Sequence, residues 1–201
     1  DYFGKWKALH YSTKKAFQPV LISFFKSDSE IELHVISDLL ESKEVDLKLK
    51  VLSFSGEVLY EINQNYLLQQ NSTMKVESLS IDWINKNFDL SSSLLVASLF
   101  SEEIEISNNN YFLSEFKDIK LTKPLIEYEI YELINTFEVS LKSKNLVKNV
   151  FVDIASSQNF SDNYFDMIPG EEYKISIKKD ENLTLDDIKR KINFLSLFDT
   201  Y

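Results

Sequence analysis

The 201-residue sequence has no cysteine and only three glycines and three prolines. Without cysteine there is no disulfide framework, no thiolate nucleophile and no zinc-thiolate site, and the redox compartment stays open. The glycines, at positions 4, 56 and 170, lie far apart, which excludes a glycine-rich phosphate loop. Cysteine chemistry and phosphate-loop chemistry are therefore not expected.

Basic residues are outnumbered, since 22 Lys and Arg stand against 32 Asp and Glu, giving a formal net charge of -10. Phosphate backbones and anionic lipid surfaces both require clustered Lys and Arg. Apolar runs such as Leu94 to Ala97 are far shorter than the roughly 20 residues that cross a bilayer. Nucleic acid and membrane are therefore excluded as expected partners.

Apolar residues make up 44% of the chain, enough for a globular core. The sequence opens at Asp1 with no initiating Met, no basic leader and no apolar export segment. We therefore expect a piece of a longer protein, with any export signal lying elsewhere.

The first segment, from about Gly4 to Phe17, is predicted to be a helix because apolar residues recur at three- and four-residue steps. Pro19 ends it. The stripe consists of Trp6, Leu9, Thr13 and Ala16. This spacing predicts one helix face that packs against a partner.

From Val20 onward the hydrophobic period changes to two, which predicts strands with one wet face. Strand follows strand with turn signals between, so antiparallel pairing is expected. The inward positions are Ile31, Leu33 and Val35; Leu47, Leu49 and Val51; Ile126, Tyr128 and Ile130; Phe137, Val139 and Leu141; Val150, Val152 and Ile154; and Tyr173, Ile175 and Ile177. Less clean alternation marks residues 58–62, 74–79 and 94–99.

A domain boundary is expected near Leu121, before a turn at Pro124. Near the end, residues 185–191 are predicted to form a helical turn capped by Thr184, followed by a last strand over 192–198. Each half has the size and strand number of a small sandwich. The predicted fold class is all-β: two immunoglobulin-like β-sandwich domains preceded by a short N-terminal α-helix.

Several stretches of the sequence are distinctive: residues 1–11 with 17–23, residues 111–118 with Leu121 and Pro124, residues 160–171, and residues 196–201. They resemble one family, the family-2 glycoside hydrolases of the β-mannosidase type. The resemblance implies that residues 1–18 are the last helix of an upstream catalytic barrel, 19–120 a first sandwich and 121–201 a second, C-terminal one.

The resemblance further implies a parent enzyme that removes terminal non-reducing β-linked mannose with retention of configuration. Such chemistry uses two carboxyl groups about 5 Å apart at the C-terminal face of a barrel. In the family both come from strands that precede the final helix. The chain is therefore expected to be non-catalytic, with no catalytic, substrate-binding or metal residues and no cofactor.

Its expected partner is the barrel of the same parent chain, with a glycan as a further candidate. The compartment is undetermined; the periplasm, the cell exterior and the lysosome would all suit the parent.

Adjacent carboxylates at Glu102-Glu103 and Asp186-Asp187 could be imagined as a glycosidase pair, but neighbours in sequence point in different directions and are expected to be solvated. His10 and His34 have no second ligand at metal spacing. We expect His10 to be packed within an interface and His34 to face solvent.

Residues 160–171 carry the most tempting binding motif, because Asp162, Asn163, Tyr164 and Asp166 offer oxygens for calcium or a sugar. The alternative is that Asp162 and Asn163 satisfy turn backbone groups while Phe160 fills the core.

Trp6 and Trp83 are best explained as core or interdomain anchors rather than sugar-stacking platforms. Asn71, Asn159 and Asn182 match the N-glycosylation pattern, which matters only in a eukaryotic secretory setting.

Three functions remain to be separated. The favoured one is structural support of a catalytic barrel, which predicts that the face of Trp6 and Leu9 is exposed in this chain. The alternative is an independent carbohydrate-binding or adhesive module. The third is a chain that hydrolyses glycosides itself.

Overall fold

The computed structural model describes residues 4–154, 159–179 and 183–200, which divide into two compact units. The first unit is Ala16–Lys120, and the second combines the N-terminal segment up to Lys15 with the residues from Leu121 onward. Strands dominate both, so the predicted all-β sandwich fold is confirmed. None of the described helices is long and apolar enough to cross a membrane.

The first unit is a sandwich of a four-stranded sheet, in the order β4-β3-β6-β7, and a three-stranded sheet, in the order β1-β2-β5. All recorded pairings are antiparallel. Its elements are β1 (Val20–Lys26), β2 (Glu30–Ser37), β3 (Lys43–Ser53), β4 (Val58–Leu68), β5 (Ser72–Ser80), α2 (Ile81–Asn87), β6 (Ser93–Ser101) and β7 (Ile104–Phe112).

The alternation that predicted these strands sets their inward faces. Along β2 every second residue is buried, and in β3 the buried series includes Leu47, Leu49 and Val51. Leu47 pairs with Leu99 and Leu49 with Ala97 of β6, so neighbouring strands contribute to the same core. The predictions for both strands are confirmed.

The second unit contains two three-stranded sheets, in the orders β12-β9-β8 and β11-β10-β13. Its core joins residues of β9, β10, β11 and β12 with Phe160 and Ile188. Its elements are β8 (Ile126–Glu132), β9 (Thr136–Ser143), β10 (Val147–Asp153), β11 (Phe165–Met167), β12 (Glu172–Lys178), α3 (Leu185–Lys191) and β13 (Asn193–Leu195), with a 3-10 helix at Leu197–Thr200. Helix α1 (Ala8–Ala16) precedes both sandwiches in sequence.

Helix α3 lies where it was predicted, and its N-terminus explains why. The hydroxyl of Thr184 accepts a hydrogen bond from the backbone N–H of Asp187, and the Asp187 carboxylate accepts one from the backbone N–H of Thr184. These hydrogen bonds hold the pKa of Asp187 below its usual value. The reciprocal pair satisfies backbone donors that the first turn leaves open.

Three expectations for the secondary structure were wrong in detail. Helix α1 begins at Ala8 rather than near Gly4, because residues 4–7 are not helical. Residues 81–87, for which no helix was predicted, form helix α2, whose seven residues are too few for a helical period to stand out. The last strand stops at Leu195, where a 3-10 turn takes over.

Through its side chain, Asn163 forms hydrogen bonds with the backbone of β10 of the kind that a neighbouring strand would form. Its side-chain oxygen accepts a hydrogen bond from the backbone N–H of Val152 at 2.8 Å, and its side-chain nitrogen donates to the Val152 carbonyl at 2.8 Å. The side chain is buried. One amide thus satisfies both backbone groups of a residue at the centre of the core.

We expect Asn163→Ala to lower the free energy of unfolding of the second unit by about 2–4 kcal/mol, because two buried backbone groups lose their partner. Hydrogen exchange of β10 amides under increasing urea measures this. Asn193→Ala, at an exposed position of the same unit, is the control and should change little. Equal stability of the two variants would contradict this role for Asn163.

Candidate functional site

Residues 4–7, here called the N-terminal strap, lie against the second sandwich and are held there by hydrogen bonds at two points. The backbone N–H of Trp6 donates to the side-chain oxygen of Asn159 at 2.8 Å, and the Asn159 side-chain nitrogen donates to the Gly4 carbonyl at 3.1 Å. The Lys5 ammonium contacts the Asp153 carboxylate at 2.9 Å. These contacts join residues about 150 positions apart in sequence.

A cavity of about 290 Å³ lies beside the strap. It is lined by Lys5, Trp6, Lys7, Ala8, Tyr11, Phe151, Val152, Asp153, Asn159, Phe160, Asn163 and Tyr164. The polar groups along it are largely occupied by the strap contacts and by the Asn163 amide. Its chemistry therefore suits holding the chain in place rather than converting a substrate.

Tyr11 is the buried residue of helix α1, at 6% exposure. Its hydroxyl donates to the Phe160 carbonyl at 3.4 Å, and its ring lies 6.0 Å from that of Tyr164. Burial, followed by the charges of Tyr164 and Asp162, raises the pKa of Tyr11 to about 12. The phenol is therefore a neutral anchor at physiological pH and not a general base.

The apolar stripe of helix α1 lies on a different face and is uncovered. On the helix itself Leu9 is 75% exposed, and Thr13 and Ala16 are exposed too. Trp6, the first residue of the predicted stripe, lies in the strap before the helix and is 42% exposed. The expectation of an exposed helix face is thus confirmed. Tyr11, which is outside the stripe, is what attaches the helix to the second sandwich.

The carboxylate pairs singled out in the sequence have structural positions. Glu102 and Glu103 are exposed and form the tip of the β6–β7 hairpin, both with positive φ. Asp187 caps helix α3, while Asp186 is exposed beside it. Within residues 4–154, 159–179 and 183–200, no cluster of three or more His, Asp or Glu is suited to a metal ion. The lack of catalytic and binding residues stays a prediction.

The two histidines differ from expectation. His10 is exposed rather than packed, and its ring lies at a tilt against that of Trp6, with a centroid distance of 4.0 Å. His34, expected in solvent, is half-buried with its Nε2 at 2.8 Å from a Glu32 carboxylate oxygen. Lys75 of β5 is paired with His34 across the strands and contacts the same Glu32.

The side-chain oxygens of Asp162, Asn163 and Asp166 all contact groups of the fold. Asp166 contacts the Lys148 ammonium through both oxygens at 2.9 Å, and both side chains are about nine-tenths buried. Asp162 accepts from the backbone N–H of Asn163 at 2.8 Å, and burial raises the Asp162 pKa. The geometry favours the turn-and-core interpretation over a calcium or sugar site.

Trp83, on helix α2, packs edge-on against the rings of Tyr60 and Phe88 at 4.9 and 5.1 Å. It is half-buried at the margin of the first core. This is the anchoring role expected for it. Sequence reasoning missed the strap site at Asn159 and Phe160, since hydrophobic periodicity gives no signal for a contact made by backbone groups of distant residues.

Two family models match the chain. One, described as a mannosidase Ig/CBM-like domain, matches residues 29–118, and the other, described as an Ig-fold domain, matches residues 121–200. Together they extend over most of the sequence and coincide with the two sandwiches.

Curated relatives match along nearly the whole chain. β-Mannosidase A of Emericella nidulans is 28% identical over 193 residues, which cover 87% of this chain and 20% of that protein. β-Mannosidase of Capra hircus is 26% identical over 209 residues, covering 100% of this chain and 24% of that protein. The chain thus spans between a fifth and a quarter of the length of these relatives.

Solved structures show the same arrangement of strands. A β-D-mannosidase from Dictyoglomus thermophilum matches with a TM-score of 0.85 at 20% identity, over 98% of this chain and 24% of that one. The exo-chitosanase CsxA of Amycolatopsis orientalis matches with a TM-score of 0.66 at 13% identity, over 93% and 26%. At these identities the likeness concerns the fold alone.

The raised pKa of Tyr11 predicts a pH dependence that Tyr11→Phe removes. Below pH 10, its reference value, the phenol is protonated in both the folded and unfolded chain and its stabilising effect is complete. As pH rises towards about 12 only the unfolded chain ionises, so stability falls.

Urea denaturation at about pH 9 and about pH 11.5 should therefore show Tyr11→Phe losing less stability than the unaltered chain over that interval. Tyr128→Phe, which changes an exposed ring of the same unit, is the control and should follow the unaltered chain. Parallel losses in all three proteins would show that the Tyr11 phenol is not held protonated by burial.

Proposed function

Since this chain belongs to the β-mannosidase family of glycoside hydrolases and comprises its accessory immunoglobulin-like domains, we propose that it supports the catalytic barrel of a longer enzyme. In this proposal residues 1–18 end the barrel, residues 19–120 form the sandwich that follows it and residues 121–201 the C-terminal one. The barrel of the same polypeptide is the partner.

The proposed activity of that longer enzyme is the hydrolysis of terminal non-reducing β-D-mannose residues with retention. The relatives named β-mannosidase support it, since they match this chain over 87% and 100% of its length. Retaining hydrolysis needs a nucleophile and an acid/base that face each other across a bond. Under the proposal, both groups belong to the barrel. An independent carbohydrate-binding or adhesive module is the less favoured alternative.

The observation that carries the supporting role is the two-sided helix α1. One side is attached to the second sandwich through the buried Tyr11. The other side presents Leu9, which is 75% exposed, in line with Thr13. An exposed apolar face at helical spacing is typical of a surface that packs against another element. Packing it on a barrel would let one helix connect the barrel with the C-terminal sandwich.

The proposal predicts that the purified 201-residue chain does not hydrolyse a chromogenic β-mannoside. Release of the chromophore should equal the rate in buffer alone, because the acidic pairs Glu102-Glu103 and Asp186-Asp187 lie at a hairpin tip and at the start of a helix rather than facing each other across a bound sugar. A longer β-mannosidase assayed in parallel shows that the substrate is competent. Saturable turnover by the isolated chain would refute a purely supporting role.

Leu9→Asp distinguishes a docking face from an ordinary exposed leucine. In the isolated chain the substitution should change the free energy of unfolding by no more than about 0.5 kcal/mol, since Leu9 is 75% exposed. In the full-length enzyme it should cost about 2–5 kcal/mol, because a charge would be forced into an apolar contact.

The matched control is Leu40→Asp, which makes the same change at a leucine that is 81% exposed in the first unit. Thermal unfolding and β-mannoside hydrolysis of both full-length variants are the measurements. If Leu9→Asp and Leu40→Asp behave alike in the full-length enzyme, helix α1 does not dock there.

A further inference from the structure

Three tripeptides in this chain share the acceptor pattern for N-linked glycosylation: Asn71-Ser72-Thr73, Asn159-Phe160-Ser161 and Asn182-Leu183-Thr184. Asn182 lies outside the described residues. The first two look equivalent in sequence but differ sharply in their structural surroundings. That difference decides which of them a folded chain can carry in modified form.

The polar side chains of the pattern at Asn159 already form hydrogen bonds within the fold. Both ends of the Asn159 amide bind the N-terminal strap, at Trp6 and Gly4. Phe160 is 3% exposed, and the Ser161 hydroxyl accepts a hydrogen bond from the backbone N–H of Ser176 at 2.9 Å. A sugar on the Asn159 nitrogen would occupy the space beside the Gly4 carbonyl and displace the strap.

In the pattern at Asn71, the two side chains that modification requires, those of Asn71 and Thr73, are exposed. Asn71 is exposed in the turn that connects β4 to β5, with a φ of 44°, a left-handed conformation that asparagine tolerates well. Its backbone N–H donates to the Leu39 carbonyl at 3.2 Å, and the Ser72 hydroxyl donates to the Gln69 carbonyl at 2.7 Å. The turn is thus held by groups other than the Asn71 side chain. Thr73, which supplies the second required side chain, is exposed as well.

We propose that, when this chain folds in a eukaryotic secretory pathway, Asn71 accepts an N-linked glycan and Asn159 stays unmodified. The donor is a lipid-linked oligosaccharyl diphosphate. A bond forms between the Asn71 side-chain nitrogen and the anomeric carbon of the first sugar, and the bond from that carbon to the diphosphate oxygen breaks. The lipid diphosphate leaves with the electron pair, and the amide proton passes to a base of the transferring enzyme. The proposal is independent of the barrel-supporting role.

The test is secretion of the 201-residue chain, carrying a cleavable export signal and Asn182→Gln, from a eukaryotic host. Peptide mass mapping of the folded, secreted protein should show a glycan at Asn71 in most molecules and none at Asn159. Thr73→Ala keeps the acceptor and removes the hydroxyl at an exposed position, so it should abolish the modification. An unmodified Asn71, or a glycan on Asn159 in folded protein, would overturn the proposal.

A second measurement uses protein made without glycans in a bacterial host. Asn159→Gln should lower the Tm of the second unit by several degrees, because the strap loses both of its hydrogen bonds to the Asn159 side chain. In a unit of roughly 60 to 100 residues a loss of one kcal/mol corresponds to about 4–8 °C. Asn71→Gln, the same change at the open site, should leave the Tm within about 1 °C, as expected of a surface position. Equal Tm shifts for the two variants would contradict the assignment of Asn159 to the fold.

Discussion

Burial of one face of the strands that form the two cores, such as β2, β3, β9 and β12, is the constraint on which both units depend. In β2 and β3 this burial fixes which side chains face the core. A shift of the strand register by one residue would expose Leu47 and bury its charged neighbours. The inward-facing apolar residues of these strands thereby form the core. Polar and acidic side chains are left to the outer faces, the caps and the hairpin tips. The acidic pairs singled out in the sequence accordingly lie at a hairpin tip, for Glu102 and Glu103, and at the start of a helix, for Asp186 and Asp187.

Helix α1 differs from the strands, because its buried residue, Tyr11, does not belong to its apolar stripe. Tyr11 is held by a hydrogen bond and ring contacts to the second sandwich, while Leu9 faces outward. Burying a leucine side chain is worth about 1.5–3 kcal/mol, so an uncovered one forgoes stabilisation that docking would supply. The helix can be fixed by one face and still offer the other. The proposed attachment of this helix to a barrel rests on that difference between its two faces.

Most of the fold could be predicted from the sequence, because period-two alternation is a local signal repeated many times. The strands around Ile31, Leu47 and Val139 were found this way, and Thr184 predicted the start of helix α3. The exposed helix face was also predictable, since a stripe at helical spacing requires a partner. Helix α2 was not, being too short for its period to be read. The strap site was not either, because its backbone contacts with Asn159 leave no mark on hydrophobic patterning.

Identical local patterns acquire different roles through their distant neighbours. Asp187 and Glu103 both belong to adjacent acidic pairs, yet the first caps a helix and the second closes a hairpin in the left-handed conformation. Asn163 and Asn159 stand four residues apart, and one amide completes a sheet while the other holds the chain's N-terminal strap. When a side-chain amide already donates and accepts hydrogen bonds within the fold, a ligand or modifying group must compete with the backbone for that amide. Function in this chain is therefore to be sought where side chains are uncommitted: along the outer face of helix α1 and at the turn that carries Asn71.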